Sequence, residues 1–308
     1  MNISASPSLG APTWSARLAP FHKYFLLAPM GLLLTLFFAS PLLWLGRVSF
    51  QRNPTAAAGQ AAAFDGSWTL DNYLKFFGDD YYIAVLGFTL QLAAVVTVCA
   101  MVLAYPMAYF IYRSRPRLKV LLLVLVLLPK FSNILVLVYG VQILLSNSGP
   151  VNEFLLWAGF IGEPLELVYT FFSVVMGEVL LIAPYTVLVI TAAMHGLDAT
   201  LRDAAEGLGA SPTQAFWTVT FPLTLPGTFV ALLITVVWAL GAFVSPVLLG
   251  SPEMTTLAVE VPKQTFENIN WPMGATIAFI ILGMMTLIVF AYNVAMANLL
   301  PGLRQGRT

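Results

Sequence analysis

Between Tyr81 and Tyr112 the chain runs for 32 residues without a single charged side chain. A helix rising ~1.5 Å per residue needs only about 20 apolar residues to cross ~30 Å of hydrocarbon, so this run is long enough to span a bilayer with some tilt. Five more runs of the same kind follow from the sequence, at about 24–46, 120–145, 168–194, 223–249 and 274–300. With 59% apolar and 9% charged residues and a mean hydropathy of +0.86, the chain lies far outside the soluble average. The expected fold class is an all-α membrane protein of six transmembrane helices.

The first run is too long for the core of a secretory signal and lacks a small-residue cleavage site, so it counts as a span. The domain reading is a tail at 1–23, a transmembrane domain at 24–300 and a tail at 301–308. Within 47–80, Asp65 to Phe77 read as an amphipathic, interface-type segment, a short helix capped near Asp71. Val151 to Phe160 read as another. The pairs Phe76-Phe77 and Tyr81-Tyr82 suit interface anchors better than a cation cage. Proline at positions 41, 106, 184 and 246 permits kinks within the spans.

Lysine and arginine favour the cytoplasmic side of a membrane. Arg17, Lys23, Arg113, Arg115, Arg117, Lys119, Arg202, Arg304 and Arg307 fall on one side, against Arg47, Arg52, Lys75 and Lys263 on the other. Both termini are therefore expected in the cytoplasm, together with the loop at 198–222. The opposite loops hold ten acids, Asp65, Asp71, Asp79, Asp80, Glu153, Glu163, Glu166, Glu253, Glu260 and Glu267, which read as a solvated face more than as an attractor for a cationic solute.

Chemistry of the covalent kind has little to stand on. Cys99 is the single cysteine, His22 and His195 are the only histidines, and no Ser/His/Asp set or metal-ligand spacing occurs. The informative polar residues are two charges inside spans. Lys130 lies about ten residues into the third span and Glu178 about ten into the fourth from the other face, so both sit ~15 Å deep. Each costs on the order of 2.5–3.5 kcal/mol at the centre of an isolated helix, so lipid exposure is disfavoured. Two roles are open: a Lys130–Glu178 pair that holds spans three and four together, or a solute path lined by Lys130 and Glu178 with Ser132, Asn133 and Tyr139 adding hydrogen bonds.

The loop between spans four and five has its own logic. Leu201, Ala204, Ala205 and Leu208 recur at helical spacing, and Gly209 offers a left-handed stop. Ser211 then makes an N-cap, Pro212 suits the first helical position, and Gln214 completes a capping box, so a second short helix follows. The order Asp203-Ala204-Ala205, three residues, Gly209, nine residues, Val219-Thr-Phe-Pro222 resembles the EAA loop of ABC importer permeases, with Asp for Glu at 203, Val for Ile at 219 and Phe for Leu at 221.

The wider chain is similar to the spermidine/putrescine subgroup of that family. The matching stretches are Thr69-Leu-Asp-Asn-Tyr73, Tyr105-Pro106, Leu128-Pro129, Val138-Tyr139-Gly140, Asn152 to Trp157, Phe221 to Gly227 and Asn270 to Ala275. Lys130 stands where that subgroup has an aromatic residue and Leu137 where it has an arginine, which separates the solute question from the family question.

The resemblance implies a type I permease subunit in the bacterial inner membrane. It implies alternating access for a small polar solute, polyamine- or opine-like, that an extracytoplasmic solute-binding protein delivers. It implies a second permease subunit of different sequence and a cytoplasmic ATPase dimer, with Asp203, Ala204, Ala205, Gly209 and Pro222 as the coupling residues. No Gly-Lys pair occurs in the chain, so a phosphate loop is absent, and ATP and Mg2+ are expected on the partner ATPase with no cofactor here. Membrane lipid is the expected surrounding, and no nucleic acid is expected as a partner. The alternative is a self-contained ion-coupled carrier with Lys130 and Glu178 as its proton relay; a neighbouring or co-purifying ATPase would separate the two.

Overall fold

The computed structural model describes residues 28–53 and 67–299. The expected tails at 1–23 and 301–308, and Asp65, lie outside the described residues. Described residues are helical almost throughout, with one isolated antiparallel bridge between Gln51 and Trp68. Six helical stretches are long and apolar enough to cross a membrane; 28–49, 80–113, 171–195, 212–240 and 271–297 are continuous, whereas 134–157 is interrupted by turns at 146–149 and only its first half, 134–145, overlaps the expected third span.

In chain order, α1 is Ala28–Ser49, α2 Asp71–Gly78 and α3 Asp80–Arg113. Then come α4 Pro116–Leu127, α5 Ile134–Leu145, α6 Pro150–Trp157 and α7 Phe171–His195. The final set is α8 Ala199–Gly207, α9 Pro212–Leu240, α10 Val244–Leu249, α11 Leu257–Pro262 and α12 Trp271–Leu299.

The core forms along α3 and α7. Near one end Leu92, Ala93, Val96 and Ala100 pack with Val174, Val175, Val179 and Ile182. Toward the other, Ala104, Ala108 and Ile111 pack with Val187, Ile190 and Met194. Alanines at 100, 104 and 108 recur every four residues, so one small-residue stripe lets the backbones approach closely without help from a hydrophobic effect that lipid does not supply. Helix α9 closes over the pair, and the buried hydroxyls of Thr186 and Thr235 bond across α7 and α9 at 2.9 Å. Gly177 on α7 is required by contact with α10: a Cβ there would lie 2.7 Å from Leu249 Cδ1 and 2.8 Å from Ser245 Oγ.

The third span is not the continuous helix expected over 120–145. It consists of α4 and α5 in series, each of 12 residues and ~18 Å, too short alone. Val138, Val141 and Leu145 of α5 join the first core, while Leu122, Leu123 and Val126 of α4 join the second, so the two halves run the length of α3. Pro129 explains the break: it has no N–H for the ladder, the chain tightens into a 3-10 turn at Leu128–Phe131, and Ser132 and Asn133 are extended.

Span five also departs from expectation. No separate short helix precedes it; Pro212 starts a helix that continues to Leu240, and the expected end at Leu249 is replaced by a break at 241–243 and then α10. Helices α1 and α9 each carry a π-helical turn, Thr35–Ala39 and Phe216–Thr220, and Pro41 and Pro222 follow directly after. In both, the carbonyl four residues before the proline lies inside the wide turn, which absorbs the clash and the missing donor.

The expected short helices are present as α2 and α6, although Phe76 is fully buried and stacks on Tyr82 with ring centroids 5.5 Å apart, so it belongs to the core and not to an interface belt. Glu260 corrects the reading of the acidic loops as a solvated face. It is completely buried, its Oε2 accepting from the Tyr81 hydroxyl at 2.8 Å and its Oε1 from Gln264 Nε2 at 2.7 Å. Lys263 donates to the same Tyr81 hydroxyl at 3.1 Å; that bond, with the Glu260 charge behind it, raises the Lys263 ammonium above the usual lysine range against the opposing effect of burial.

Candidate functional site

Two sites stand out, one on the loop between α7 and α9 and one beside the break in the third span.

On the loop, Asp198 caps α8 by accepting from the Thr200 N–H at 3.0 Å, and the Thr200 backbone and hydroxyl hold its carboxyl below the usual carboxylate range. The helix ends in a Schellman motif, with Gly209 N–H bonded to Glu206 O and Ala210 N–H to Ala205 O. Gly209 has φ of 98°, a conformation that only glycine adopts cheaply, so the chain reverses there. Ser211 and Gln214 form the reciprocal capping box, 3.3 Å and 2.9 Å, that opens α9.

What keeps the loop in place is aromatic. Phe216 packs on Tyr109 and Tyr105 of α3 with centroids 4.7 and 6.1 Å away, and Phe221 reaches Tyr105 at 5.6 Å. Ala215 is fully buried beneath them. The outer face of α8 has no such cover. Leu208 is 91% exposed, Leu201 49%, and Ala204 is exposed between them at helical spacing.

Ala205 is half-buried, and Pro222 lies ten residues into α9, just after its π-helical turn, and is exposed. Asp203 caps nothing. It sits mid-helix with 65% of its side chain exposed, 3.5 Å from Arg202, whose other contact is Glu206 at 3.2 Å. Arg113, Arg115, Arg117 and Lys119 surround this end of the bundle. Lys119 Nζ lies 2.8 Å from His195 Nε2 and His195 Nδ1 lies 2.7 Å from Thr191 O, so the network assigns the neutral tautomer with the proton on Nδ1.

At the second site the Lys130–Glu178 ion pair, one of the two roles the sequence leaves open, does not form among the described residues. Trp238 of α9 stands between them. Its Nε1 donates to Glu178 Oε2 at 3.2 Å, while its ring lies 5.3 Å from the Lys130 ammonium. Tyr185 presents its ring 4.3 Å from the same ammonium, which also donates to the Leu181 carbonyl. Glu178 is 2% exposed and, with Leu181, Trp238 and Ile134, lines a cavity of about 290 Å3 bounded by the chain break at Gly241–Val244.

The other expected path residues divide. Asn133 spends its Oδ1 on the Leu135 N–H, 2.8 Å, and so caps α5; Ser132 is exposed at the break. Tyr139 lies farther along α5, half exposed and outside the cavity lining. Tyr185 and Trp238 complete the site from two different helices, a meeting that only packing produces. One signal was available: Glu178, Leu181 and Tyr185 recur at i, i+3 and i+7 on one face of α7.

Residues 100–305 match the family described as binding-protein-dependent transport system inner membrane component. The chain belongs to that family. It is the permease subunit of an ABC importer, a multi-pass protein of the bacterial inner membrane. Among its relatives, the spermidine/putrescine transport system permease protein PotB of Salmonella typhimurium (strain SL1344) is 37% identical over 225 residues, 72% of this chain and 78% of the relative. PotB of Escherichia coli (strain K12) is 36% identical over 225 residues, 72% of this chain and 81% of the relative. A chain from the crystal structure of a bacterial ABC transporter involved in the import of the acidic polysaccharide alginate superposes with a TM-score of 0.74 at 18% identity, over 93% of this chain and 99% of that one, and supports the fold.

Proposed function

We propose that this permease carries a polyamine-like organic cation into the cytoplasm, and that α8 with the Gly209 turn docks on a cytoplasmic ATPase dimer that binds ATP and Mg2+. The observation that carries the coupling half is the exposed apolar face of α8. Leu201, Ala204 and Leu208 lie uncovered on a helix capped at both ends and anchored by an aromatic cluster, a rigid knob with nothing of its own chain to bury it. Ala204 keeps that face low enough for close seating, and Asp203 offers a charge at its edge. The excess of lysine and arginine at the same end supports a cytoplasmic position for it and for both termini. A second permease subunit of different sequence and an extracytoplasmic solute-binding protein complete the assembly. The relatives named for spermidine and putrescine support the solute class, as does a site made of aromatic faces, a carbonyl and a carboxylate.

The test is recovery of the assembly from native membranes in mild detergent, with wild type compared to Gly209→Asp. Wild type is expected to bring down an ATPase and a second permease, and the variant to remain in the membrane but lose the ATPase and ATP-driven spermidine uptake. A chain that comes down alone in both cases, or a variant with normal uptake, removes the coupling reading.

A further inference from the structure

The Lys130 ammonium sits in a place built to hold an organic cation. Two ring faces, Tyr185 at 4.3 Å and Trp238 at 5.3 Å, lie within the range of cation–π attraction. The rings are 6.2 Å apart, from different helices, and the Leu181 carbonyl supplies the hydrogen-bond acceptor. The carbonyl lies on α7 one turn before Tyr185, so the acceptor and one of the two rings come from the same helix. Beyond Trp238 waits a carboxylate, Glu178, that Lys130 does not neutralise by direct contact, at the wall of the 290 Å3 cavity.

A lysine that served only to neutralise Glu178 would bond to it, because a charge-assisted bond at this depth outweighs a ring contact. A lysine that served only to hold α7 would not need two rings. The chain at Lys130 is also not a rigid helix: it is a short 3-10 turn between two half-helices, with exposed Ser132 beside it, so a four-carbon stem there can withdraw without unpacking a core.

We propose that Lys130 is a resident surrogate for the solute: its ammonium fills a cage that receives a primary ammonium of the transported cation, and solute entry displaces it. No bond is made or broken; one ammonium replaces another. The displaced lysine then carries its positive charge away from the cage, while Glu178 remains beyond Trp238 for a second ammonium of the same molecule. Discrimination follows, since a single weakly held ammonium competes poorly with a tethered one and a molecule with two or more competes well. This rests on the reading of the solute as a polyamine-like cation, and the experiment separates the two.

The importer is reconstituted with its own partner permease, ATPase and solute-binding protein, and ATP-driven uptake of spermidine is compared in wild type, Lys130→Met and Lys130→Arg. Vacating the cage in Lys130→Met is expected to lower the apparent KM about tenfold, the weight of a desolvated cation–π contact. Lys130→Arg, which keeps a resident cation, is expected to show a smaller drop than Lys130→Met. An unchanged or raised KM in Lys130→Met, in an assembly recovered at the wild-type level, overturns the proposal. A second measurement does not need the solute: n-butylammonium chloride titrated onto each assembly is expected to change tryptophan fluorescence in Lys130→Met at concentrations about tenfold below those needed for wild type, and not in a Lys130→Met, Trp238→Phe variant. No such signal in Lys130→Met overturns the cage, whereas a signal without spermidine uptake by wild type removes only the solute reading.

Discussion

Replacing Gly209 by alanine adds one methyl group to a place with room for it, since no atom lies within 4 Å of the position its Cβ would take. Any effect must therefore come from the backbone, where φ of 98° costs a residue with a Cβ roughly 1–2 kcal/mol. At 1.4 kcal/mol per tenfold, this reduces the population of the native turn about 5–30-fold relative to straighter alternatives. If α8 docks as a rigid knob, ATPase affinity and coupled uptake should fall by up to about that factor at subsaturating ATPase, the full factor being reached where the native turn becomes the minor form.

Gly207, two residues earlier, is the internal control. It too has open space around its Cβ but is helical, so alanine there should favour α8 by up to about 1 kcal/mol and leave coupling intact or better. The assay is titration of the purified ATPase onto permease in nanodiscs, with uptake measured in parallel. Wild-type affinity in Gly209→Ala would refute the argument from backbone geometry. Equal losses in Gly207→Ala and Gly209→Ala would show that added bulk at the partner surface, and not the turn, is what matters.

Other expectations concern Glu260, Asn152 and Asp198. Glu260→Ala leaves the buried Gln264 amide and the partly exposed Tyr81 hydroxyl without their acceptor, and should destabilise by about 1–3 kcal/mol, read as a lower Tm, whereas Glu260→Gln should recover part of it. Asn152 is buried and bridges Ser146 O, Leu165 O and Leu165 N–H at 3.0, 2.9 and 2.8 Å; Asn152→Ala should cost a similar ~1–3 kcal/mol and open 158–170 to protease while α7 stays intact. Because its cap bonds hold the Asp198 carboxyl below the usual range, its stabilising effect is present above the unfolded value and is lost only as pH falls through the lower folded one. Hydrogen exchange in α8 should thus be insensitive to this group across neutral pH, unchanged in Asp198→Asn and faster in Asp198→Ala.

The sequence alone determined the parts of this protein whose forces are local. In hydrocarbon every backbone donor and acceptor must be satisfied within its own segment, so length and hydropathy suffice to mark the crossings. The capping box at Ser211 and Gln214 and the left-handed Gly209 were legible for the same reason, since their partners lie within five residues in the chain. Tertiary structure decided the rest. Lys130 and Glu178 were at the right depth to meet, yet only the rotation of α7 against α9 puts Trp238 between them, 60 residues from one and 108 from the other. Glu260 has the composition of a solvated loop and is instead buried against a tyrosine 179 residues away. Neither outcome is written in periodicity, because which face of a helix meets which neighbour depends on the packing of small residues along distant segments. A lone charge shows only that it needs a partner; the fold chooses which one.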